Sequence, residues 1–152
     1  MDDEKVVARQ LGRPPRAFRR VVVRCPYGRP AVTEQWPADA SGEPFPTTFY
    51  LTCPHLVAAV ARLEAGGGVE RWSERARQDP KLAASLARGN EEQRRLRPEL
   101  PGGIGGSTRA GSLKCLHAHA AFALARPGYE LGERILGELD RLWPESGCCT
   151  AG

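Results

Sequence analysis

Residues 47–66 read TTFYLTCPHLVAAVARLEAG, and the character of the sequence changes within this stretch. TTFYLTC (47–53) is rich in aromatic and β-branched residues, which predicts a strand. Pro54 then stands where a helix can begin, because the N–H that proline lacks would be unpaired in the first turn anyway. Apolar residues follow at helical spacing, at Leu56, Val57, Val60 and Leu63. The stretch therefore predicts a strand that passes directly into a helix, which ends at the glycines 66–68.

Two further strands are predicted before this junction. RRVVVRC (19–25) is β-branched, PYGRP supplies a turn, and AVTEQW (31–36) alternates well enough to return as the second strand of a hairpin. Before the hairpin, DDEKVVARQL (2–11) begins with acidic residues and places its apolar residues near one side. This pattern predicts a short amphipathic helix.

Helices are predicted to dominate the rest of the chain. Residues 69–97 contain two charged helical segments with thin apolar stripes, so they are predicted to form a possible helical arm or a surface for a protein partner. Helices are also predicted at 111–126 and 130–142, and residues 144–152 are predicted to be a tail. The predicted fold class is α+β, with a small antiparallel sheet of about three strands near the N-terminus packed with several helices in a single domain, 1–152.

The composition favours one compact domain without a membrane segment. The chain has 152 residues, of which 41% are hydrophobic, and this is enough for one core. No stretch reaches the roughly 18 apolar residues that a membrane span needs. The charged start MDDEKVVARQ lacks the order of a signal peptide, so we expect a cytoplasmic protein with reduced thiols. The net charge of +4 is modest and no recognised motif accompanies it, so nucleic acid is not expected as a partner.

The cysteines lie at the predicted boundaries of helices and strands. Cys25 and Cys53 each end a strand before a proline, Cys115 lies near a helix start, and Cys148 and Cys149 are adjacent near the end of the sequence. Such boundaries can bring side chains from distant segments together. No CxxC pair is present, although such pairs are usual in structural zinc sites. Widely spaced single cysteines instead favour an iron–sulfur cluster held by loops, or a zinc site completed by histidine.

The predicted helix at 111–126 adds histidines to this set. Cys115 and His119 are four residues apart and would share a helix face, so both could reach one metal ion. His117 would point away from that face, and its role as a ligand or as a hydrogen-bonded core residue stays open. The predicted metal ligands are Cys25, Cys53 and Cys115, completed by His119, Cys148 or Cys149.

The glycine-rich loop GSTRAGS (106–112) suggests a weaker anion site. Its glycines have the spacing of a phosphate-binding loop, but Ser112 stands where that motif requires lysine, and no strand leads into it. A nucleotide-binding loop is therefore rejected. Polar residues of the loop could still bind an anion at the helix start, or could simply cap the helix; they are Ser107, Thr108, Arg109 and Ser112.

Four blocks of the sequence resemble those of one known family. They are QLGRPPR (10–16), RCPYGRP (24–30), FPTTFYLTCPHL (45–56) and KCLHAH (114–119). Together they resemble domain of unknown function 501, an uncharacterised bacterial family common in actinobacteria. The resemblance runs from about Leu11 to the end of the chain, with no recognised motif in the segment 69–97. It implies no activity, cofactor or partner, so the function has to be inferred from the residues themselves.

Three function classes follow from these observations. The leading one is a metal-site protein with an iron–sulfur cluster or zinc. The second is a metal-free thiol protein for redox chemistry or sulfur transfer that uses Cys115, whose thiol lies beside Lys114 near a helix start. The third is a non-catalytic interaction module that binds a protein partner through 69–97. The reaction, the substrate and the oligomeric state are not predicted.

Overall fold

The computed structural model of the protein describes residues 2–109 and 111–148. In this part of the chain the strands are β1 (Phe18–Arg24), β2 (Pro30–Gln35) and β3 (Phe49–Leu51). The α-helices are α1 (Asp3–Leu11), α2 (Pro54–Ala65), α3 (Gly68–Gln78), α4 (Pro80–Leu96), α5 (Leu116–Ala125) and α6 (Glu130–Gly137), with a short 3-10 helix at Ile104–Gly106. None of the helices in the described ranges is long and apolar enough to cross a membrane.

The strands form one antiparallel sheet in the order β1-β2-β3, so the predicted α+β class with a small amino-terminal sheet is confirmed. β2 is the central strand and is buried along its whole length. Because β1 and β3 are both antiparallel to β2, they run in the same direction and end at the same edge of the sheet. Cys25 directly follows β1, and Cys53 follows β3 by two residues. Both Cys-Pro junctions therefore lie at this edge.

α5 is the central helix of the fold and packs against β3, α2 and α6. Alanine supplies four of its buried residues, and such small side chains allow neighbouring elements to approach closely. Phe122 makes edge-to-face contacts with Phe49 of β3 and with Tyr129, at ring-centroid distances of 5.6 and 5.5 Å. This packing fixes α5 relative to the sheet and to the start of α6.

The start of α5 differs from the prediction of a helix over 111–126, because α5 begins at Leu116. Lys114 has a φ of 64°, and the N–H of Cys115 donates to the carbonyl oxygen of Leu113 at 2.7 Å, which closes a γ-turn. Cys115 itself is extended and occupies the position just before the helix. Tertiary hydrogen bonds hold this turn, since the N–H of Leu113 donates to the Ser73 hydroxyl at 3.4 Å.

α3 and α4 occupy most of the segment 69–97, and their thin apolar stripes are buried in the core. The buried residues are Trp72, Ala76, Leu82 and Leu86. Asp79 joins the two helices, and its side chain accepts a hydrogen bond from the N–H of Lys81 at 2.9 Å. Pro80 occupies the first turn of α4, where a proline is tolerated. A narrow stripe is sufficient here because each helix meets the core along one side.

The segment after α6 runs back to the sheet. α6 ends at Gly137, earlier than the predicted residue 142, and the chain then continues without regular structure to Cys148. The Tyr27 hydroxyl donates to the carbonyl oxygen of Pro144 at 2.6 Å. The ring of His55 donates from Nε2 to the carbonyl oxygen of Arg141 at 2.8 Å. These contacts hold the segment against the β1–β2 turn and the first turn of α2.

Candidate functional site

Three potential metal ligands of different chemistry meet between α2 and α5. They are the Glu64 carboxylate, the Cys115 thiol and the His117 imidazole, and one ligand atom from each lies within 4.8 Å of the other two. Glu64 is in the last turn of α2, Cys115 directly precedes α5 and His117 is in its first turn. About a quarter of the Glu64 and His117 side chains is exposed, so a ligand can reach the group.

The orientation of His117 is fixed by α2. Its Nε2 lies 3.1 Å from the carbonyl oxygen of Val57, and its Nδ1 lies 3.2 Å from Oε1 of Glu64. A carbonyl oxygen only accepts hydrogen bonds, so Nε2 carries a hydrogen and Nδ1 faces the anionic carboxylate. The hydrogen bond with Cys115, together with the Val57 carbonyl and the Glu64 charge, outweighs burial and raises the pKa of His117 to about 9. The site thus favours a positive charge at Nδ1, which either a proton or a metal ion can supply.

Glu64 also caps α5. The N–H of Leu116 donates to Oε2 of Glu64 at 2.8 Å, while the other carboxylate oxygen faces His117. The free N–H groups of a helix start attract negative charge, so this carboxylate is favourable at the start of α5. An acidic residue is unfavourable in the last turn of its own helix, α2. Glu64 is therefore placed by its contacts with α5.

A cavity of about 520 Å³ opens beside Cys115 and His117. Its walls come from α2, from β3 and from the end of α1, and most of its lining residues are apolar. Gln10 and Arg13 are polar lining residues, and Arg13 donates to the Tyr50 hydroxyl at 3.2 Å. Pockets of this size that are mainly apolar, with a few convergent polar groups, are typical of small-molecule sites.

His119 is not part of this group. The predicted shared helix face of Cys115 and His119 is not formed, because Cys115 precedes the helix. His119 is fully buried, its Nε2 donates to the carbonyl oxygen of Leu113 at 2.9 Å, and its Nδ1 accepts from the Tyr129 hydroxyl at 2.7 Å. Burial lowers its pKa to about 4, so the ring is neutral. His119 therefore holds the γ-turn that orients Cys115.

The other cysteines lie at the sheet edge. Sγ of Cys25 is 3.9 Å from Sγ of Cys148, although the two residues are 123 positions apart. Cys53 is buried at the start of α2, and its N–H donates to the carbonyl oxygen of Ala31 at 3.4 Å. The predicted ligands Cys25 and Cys148 are thus brought together, while Cys115 lies with Glu64 and His117. Cys149 lies outside the described residues.

Comparison with family models identifies the chain. The model described as "Protein of unknown function (DUF501)" matches residues 21–102, which is more than half of the sequence. The chain belongs to the DUF501 family. The matched region of this DUF501 protein contains Cys25, Cys53 and Glu64, and it ends before Cys115 and His117. No curated protein and no solved structure matches the chain.

The glycine-rich loop of this DUF501 protein lines a different cavity from the one beside Cys115 and His117. Ser107, Thr108 and Arg109 line a surface cavity together with arginines of α3 and α4, and Ser112 lies outside that cavity. The Ser107 hydroxyl donates to the carbonyl oxygen of Ser112 at 3.2 Å. These residues precede the γ-turn, and the helix start that they were predicted to serve is capped by Glu64.

The sequence analysis of this DUF501 protein did not predict Glu64 as a site residue, and it left the role of His117 open. Glu64 is 52 positions from Leu116, to which it bonds, so spacing along the sequence does not connect them. One signal was available, because an acidic residue in the last turn of a predicted helix opposes the helix dipole. A residue that is locally unfavourable often has a tertiary partner.

Proposed function

We propose that this DUF501 protein binds zinc through Glu64, Cys115 and His117, and that the metal faces a small-molecule ligand in the adjacent cavity. The observation that carries the proposal is the convergence of three different ligand atoms within 4.8 Å, at the wall of a cavity of about 520 Å³. The orientation of the His117 ring supports it as well. Its Nε2 is bonded to the Val57 carbonyl, which is how metal-binding histidines are commonly oriented.

The set of donor atoms favours zinc. Zinc in proteins is bound by cysteine sulfur, histidine nitrogen and carboxylate oxygen, and all three are present in this group. Catalytic zinc sites use three protein ligands and leave a fourth position for water or substrate. An iron–sulfur cluster takes several thiolates, whereas Cys115 is the one thiol of this group, so the donors favour zinc over the predicted cluster at this position.

The cavity suggests the class of ligand. Apolar residues of α2 and β3 would contact an apolar body, and Arg13 would favour a carbonyl or carboxylate group at the cavity wall. A zinc ion in this position would act as a Lewis acid toward an oxygen atom of the ligand. We therefore propose a small apolar carbonyl or carboxylate compound as the ligand.

Metal analysis of the full untagged chain, purified under reducing conditions, tests the proposal. The variants Glu64→Gln, Cys115→Ser and His117→Gln are each expected to lose one equivalent of zinc. Their affinity for added zinc should be more than about 100-fold lower than that of the native chain. Losing a group that only orients a metal ligand already lowers the affinity 10- to 100-fold, and these variants lose a ligand itself. Glu70→Gln, an exposed glutamate on α3, serves as the matched control and keeps the native content. Native zinc content in all three variants would refute the proposal.

Metal-free thiol chemistry at Cys115 is a second candidate. One observation in its favour is the hydrogen bond between Cys115 and His117, which is the largest single cause of the raised pKa of His117. Another is the position of Cys115 at a helix start on the cavity wall. If the chain carries no metal, alkylation by iodoacetamide should label Cys115 faster than a small-molecule thiol at pH 7. Alkylation of Cys115 at the rate of the small-molecule thiol would exclude this candidate.

Both candidates need reduced thiols. Thiols persist in a reducing compartment, so we propose that the protein acts in the cytoplasm. Fractionation of cells that express the chain, with Cys115 trapped by alkylation at lysis, tests this location. Recovery from an oxidising compartment would contradict it.

A further inference from the structure

The surface cavity beside the glycine-rich loop has a volume of about 520 Å³ and is lined by residues of α3, α4 and the loop. Each of these three segments contributes one arginine, at Arg77, Arg94 and Arg109 respectively. Among the described residues that line this arginine cavity, none carries a carboxylate. A concave surface with charge of one sign concentrates ions of the opposite sign. The arginine cavity therefore favours an anion.

Two of these arginines have no acidic partner in the part of the chain that the structure describes. Neither Arg94 nor Arg109 forms an ion pair there. Arg77 pairs with Glu74, and both side chains are slightly more than half exposed. Exposed pairs of this kind contribute little to stability, and a guanidinium group has five N–H donors, so one carboxylate leaves several of them available. An anion in the cavity thus meets two positive charges that no described carboxylate already pairs.

Hydrogen bonds hold the loop against α4. The side chain of Asn90, which also lines the cavity, accepts from the N–H of Ile104 at 2.9 Å. The N–H of Gly103 donates to the carbonyl oxygen of Ser107 at 2.8 Å. A Cβ atom at Gly103 would lie 2.2 Å from Oδ1 of Asn90, so a side chain at this position would clash. The loop is therefore positioned by the protein itself, which lowers the cost of ordering it around a ligand.

The rest of the arginine cavity offers hydroxyl groups and an apolar wall. Ser107 and Thr108 line it beside Arg109, and a hydroxyl group can donate to an anionic oxygen. Alanine and leucine side chains of α3 and α4 form the apolar part, which consists of Ala76, Ala83, Leu86 and Ala87. Ala83 and Ala87 are exposed, so an apolar group can lie on them. The cavity thus suits a molecule with an anionic group and an apolar body.

We propose that the arginine cavity binds a small organic phosphate. The phosphate group contacts the three arginines, and the organic part lies on the alanines of α4. A phosphate monoester carries a charge near −2 at pH 7 and three acceptor oxygens, whereas a carboxylate carries a single charge on two oxygens. Arginine also binds phosphate through paired N–H···O bonds. This site does not depend on the metal site proposed above.

Titration of the metal-free full chain with phenyl phosphate tests the arginine cavity apart from the metal site. A chelator removes any zinc that could itself bind phosphate, and about 0.15 M sodium chloride screens charges on the open surface. Calorimetry should detect one phenyl phosphate per chain, bound more tightly than inorganic phosphate because the phenyl group buries apolar surface. The amide resonances of Ser107 and Thr108 should shift. Absence of binding, or equal affinity for inorganic phosphate, would overturn the proposal.

Replacing one arginine of the cavity separates a specific site from general surface charge. Arg94→Gln should lower the affinity for phenyl phosphate about 10-fold or more, because it removes hydrogen bonds between charged groups. Arg88→Gln is the matched control, since it removes the same charge from an exposed position of α4 outside the cavity. It should leave the affinity unchanged. An equal loss of affinity in both variants would show binding to surface charge alone and would overturn the proposal.

A carboxylate placed in the arginine cavity should exclude the phosphate. Ala87→Glu introduces a negative charge on the cavity wall at an exposed helical position, where glutamate is compatible with the helix. This variant should lose detectable binding of phenyl phosphate. Ala84→Glu, also exposed on α4 but outside the cavity, is its control and should bind like the native chain. Native affinity in the Ala87→Glu variant would contradict the position of the site.

Discussion

Lys114 adopts a left-handed backbone conformation that residues with a side chain rarely adopt. Its φ is 64°, and the γ-turn at this residue places Cys115 against Glu64 and His117. The left-handed conformation costs a non-glycine residue roughly 1–2 kcal/mol. Such strain often accompanies functional sites, where the surrounding structure stabilises it. Here the surrounding structure includes the His119 ring, which donates to the carbonyl oxygen of Leu113 in the same turn.

Replacing Lys114 by glycine should stabilise the fold. The substitution removes the left-handed strain but adds freedom to the unfolded chain, so we expect a net gain of about 0.5–1 kcal/mol in the free energy of unfolding. Urea denaturation measures it. Lys114→Ala is the matched control, because it removes the long side chain but keeps the Cβ atom, and it should give no gain. A glycine variant less stable than the alanine variant would contradict the role of strain.

The pKa of His117 should depend on Cys115. In the metal-free chain we expect the ring to titrate near pH 9, because hydrogen bonds and nearby negative charge favour its protonated form. Cys115→Ser should lower the pKa toward the ordinary histidine value of about 6.5. Nuclear magnetic resonance of the ring protons, with a chelator present, measures it. Cys25→Ser is the control, and an ordinary pKa in the native chain would contradict the geometry of the group.

At the scale of helices and strands, local patterns predicted most of the fold. β-branched runs and Cys-Pro junctions gave the three strands and the start of α2, because these signals are local. The start of α5 was predicted wrongly, since residues 113–115 have no local signal against a helix. Their hydrogen bonds go to Ser73 and His119, and such tertiary contacts override helix propensity.

The contact between α2 and α5 should depend on the charge of Glu64. In metal-free protein we expect Glu64→Gln to lower the free energy of unfolding by about 1 kcal/mol, because the amide can still accept from Leu116 but has no charge for the helix dipole or for His117. Glu64→Ala loses the hydrogen bond as well and should cost about 2–3 kcal/mol. Urea denaturation with a chelator measures both, against Glu70→Gln. Equal stability of the glutamine and native chains would show that the charge contributes nothing.

The whole molecule contains two histidines with opposite pKa shifts. Burial lowers the pKa of His119 to about 4, while the contacts of His117 raise its pKa to about 9. Both titrate near 6.5 in an unfolded chain. Below pH 6.5 the unfolded chain binds a proton at His119 that the folded chain does not. Stability therefore falls as the pH is lowered from 6.5 toward 4. Above pH 6.5 the folded chain keeps a proton at His117 that the unfolded chain loses, so stability falls as pH rises through 9.

The stability of metal-free protein should therefore be greatest near pH 6.5. Toward pH 4 the contribution of His119 amounts to about 3 kcal/mol, and the decrease toward pH 9 should be smaller because solvent screens the partly exposed His117. Urea denaturation across this pH range measures both limbs. His117→Gln should remove the alkaline limb and leave the acid limb unchanged. Constant stability between pH 4 and 7 would contradict the burial of a neutral His119.

At the scale of the whole molecule, the positions of the cysteines differ in how far they could be predicted from the sequence. The positions of Cys25 and Cys53 at strand ends were predicted from local signals, and strand order brings the two junctions to one edge. The partners of Cys115 were not predictable from spacing, because they depend on how α2 packs against α5. Glu64 reaches the start of α5 only in the folded chain.

The double contact of Glu64 gives the molecule a built-in reporter. One oxygen of the carboxylate accepts from the backbone N–H of Leu116, and the other faces the proposed metal. An ion or ligand that binds one oxygen polarises or moves the carboxylate, and this changes the hydrogen bond at the other oxygen. The amide resonance of Leu116 would therefore register occupancy of the site, although this amide belongs to a buried apolar residue and coordinates nothing itself.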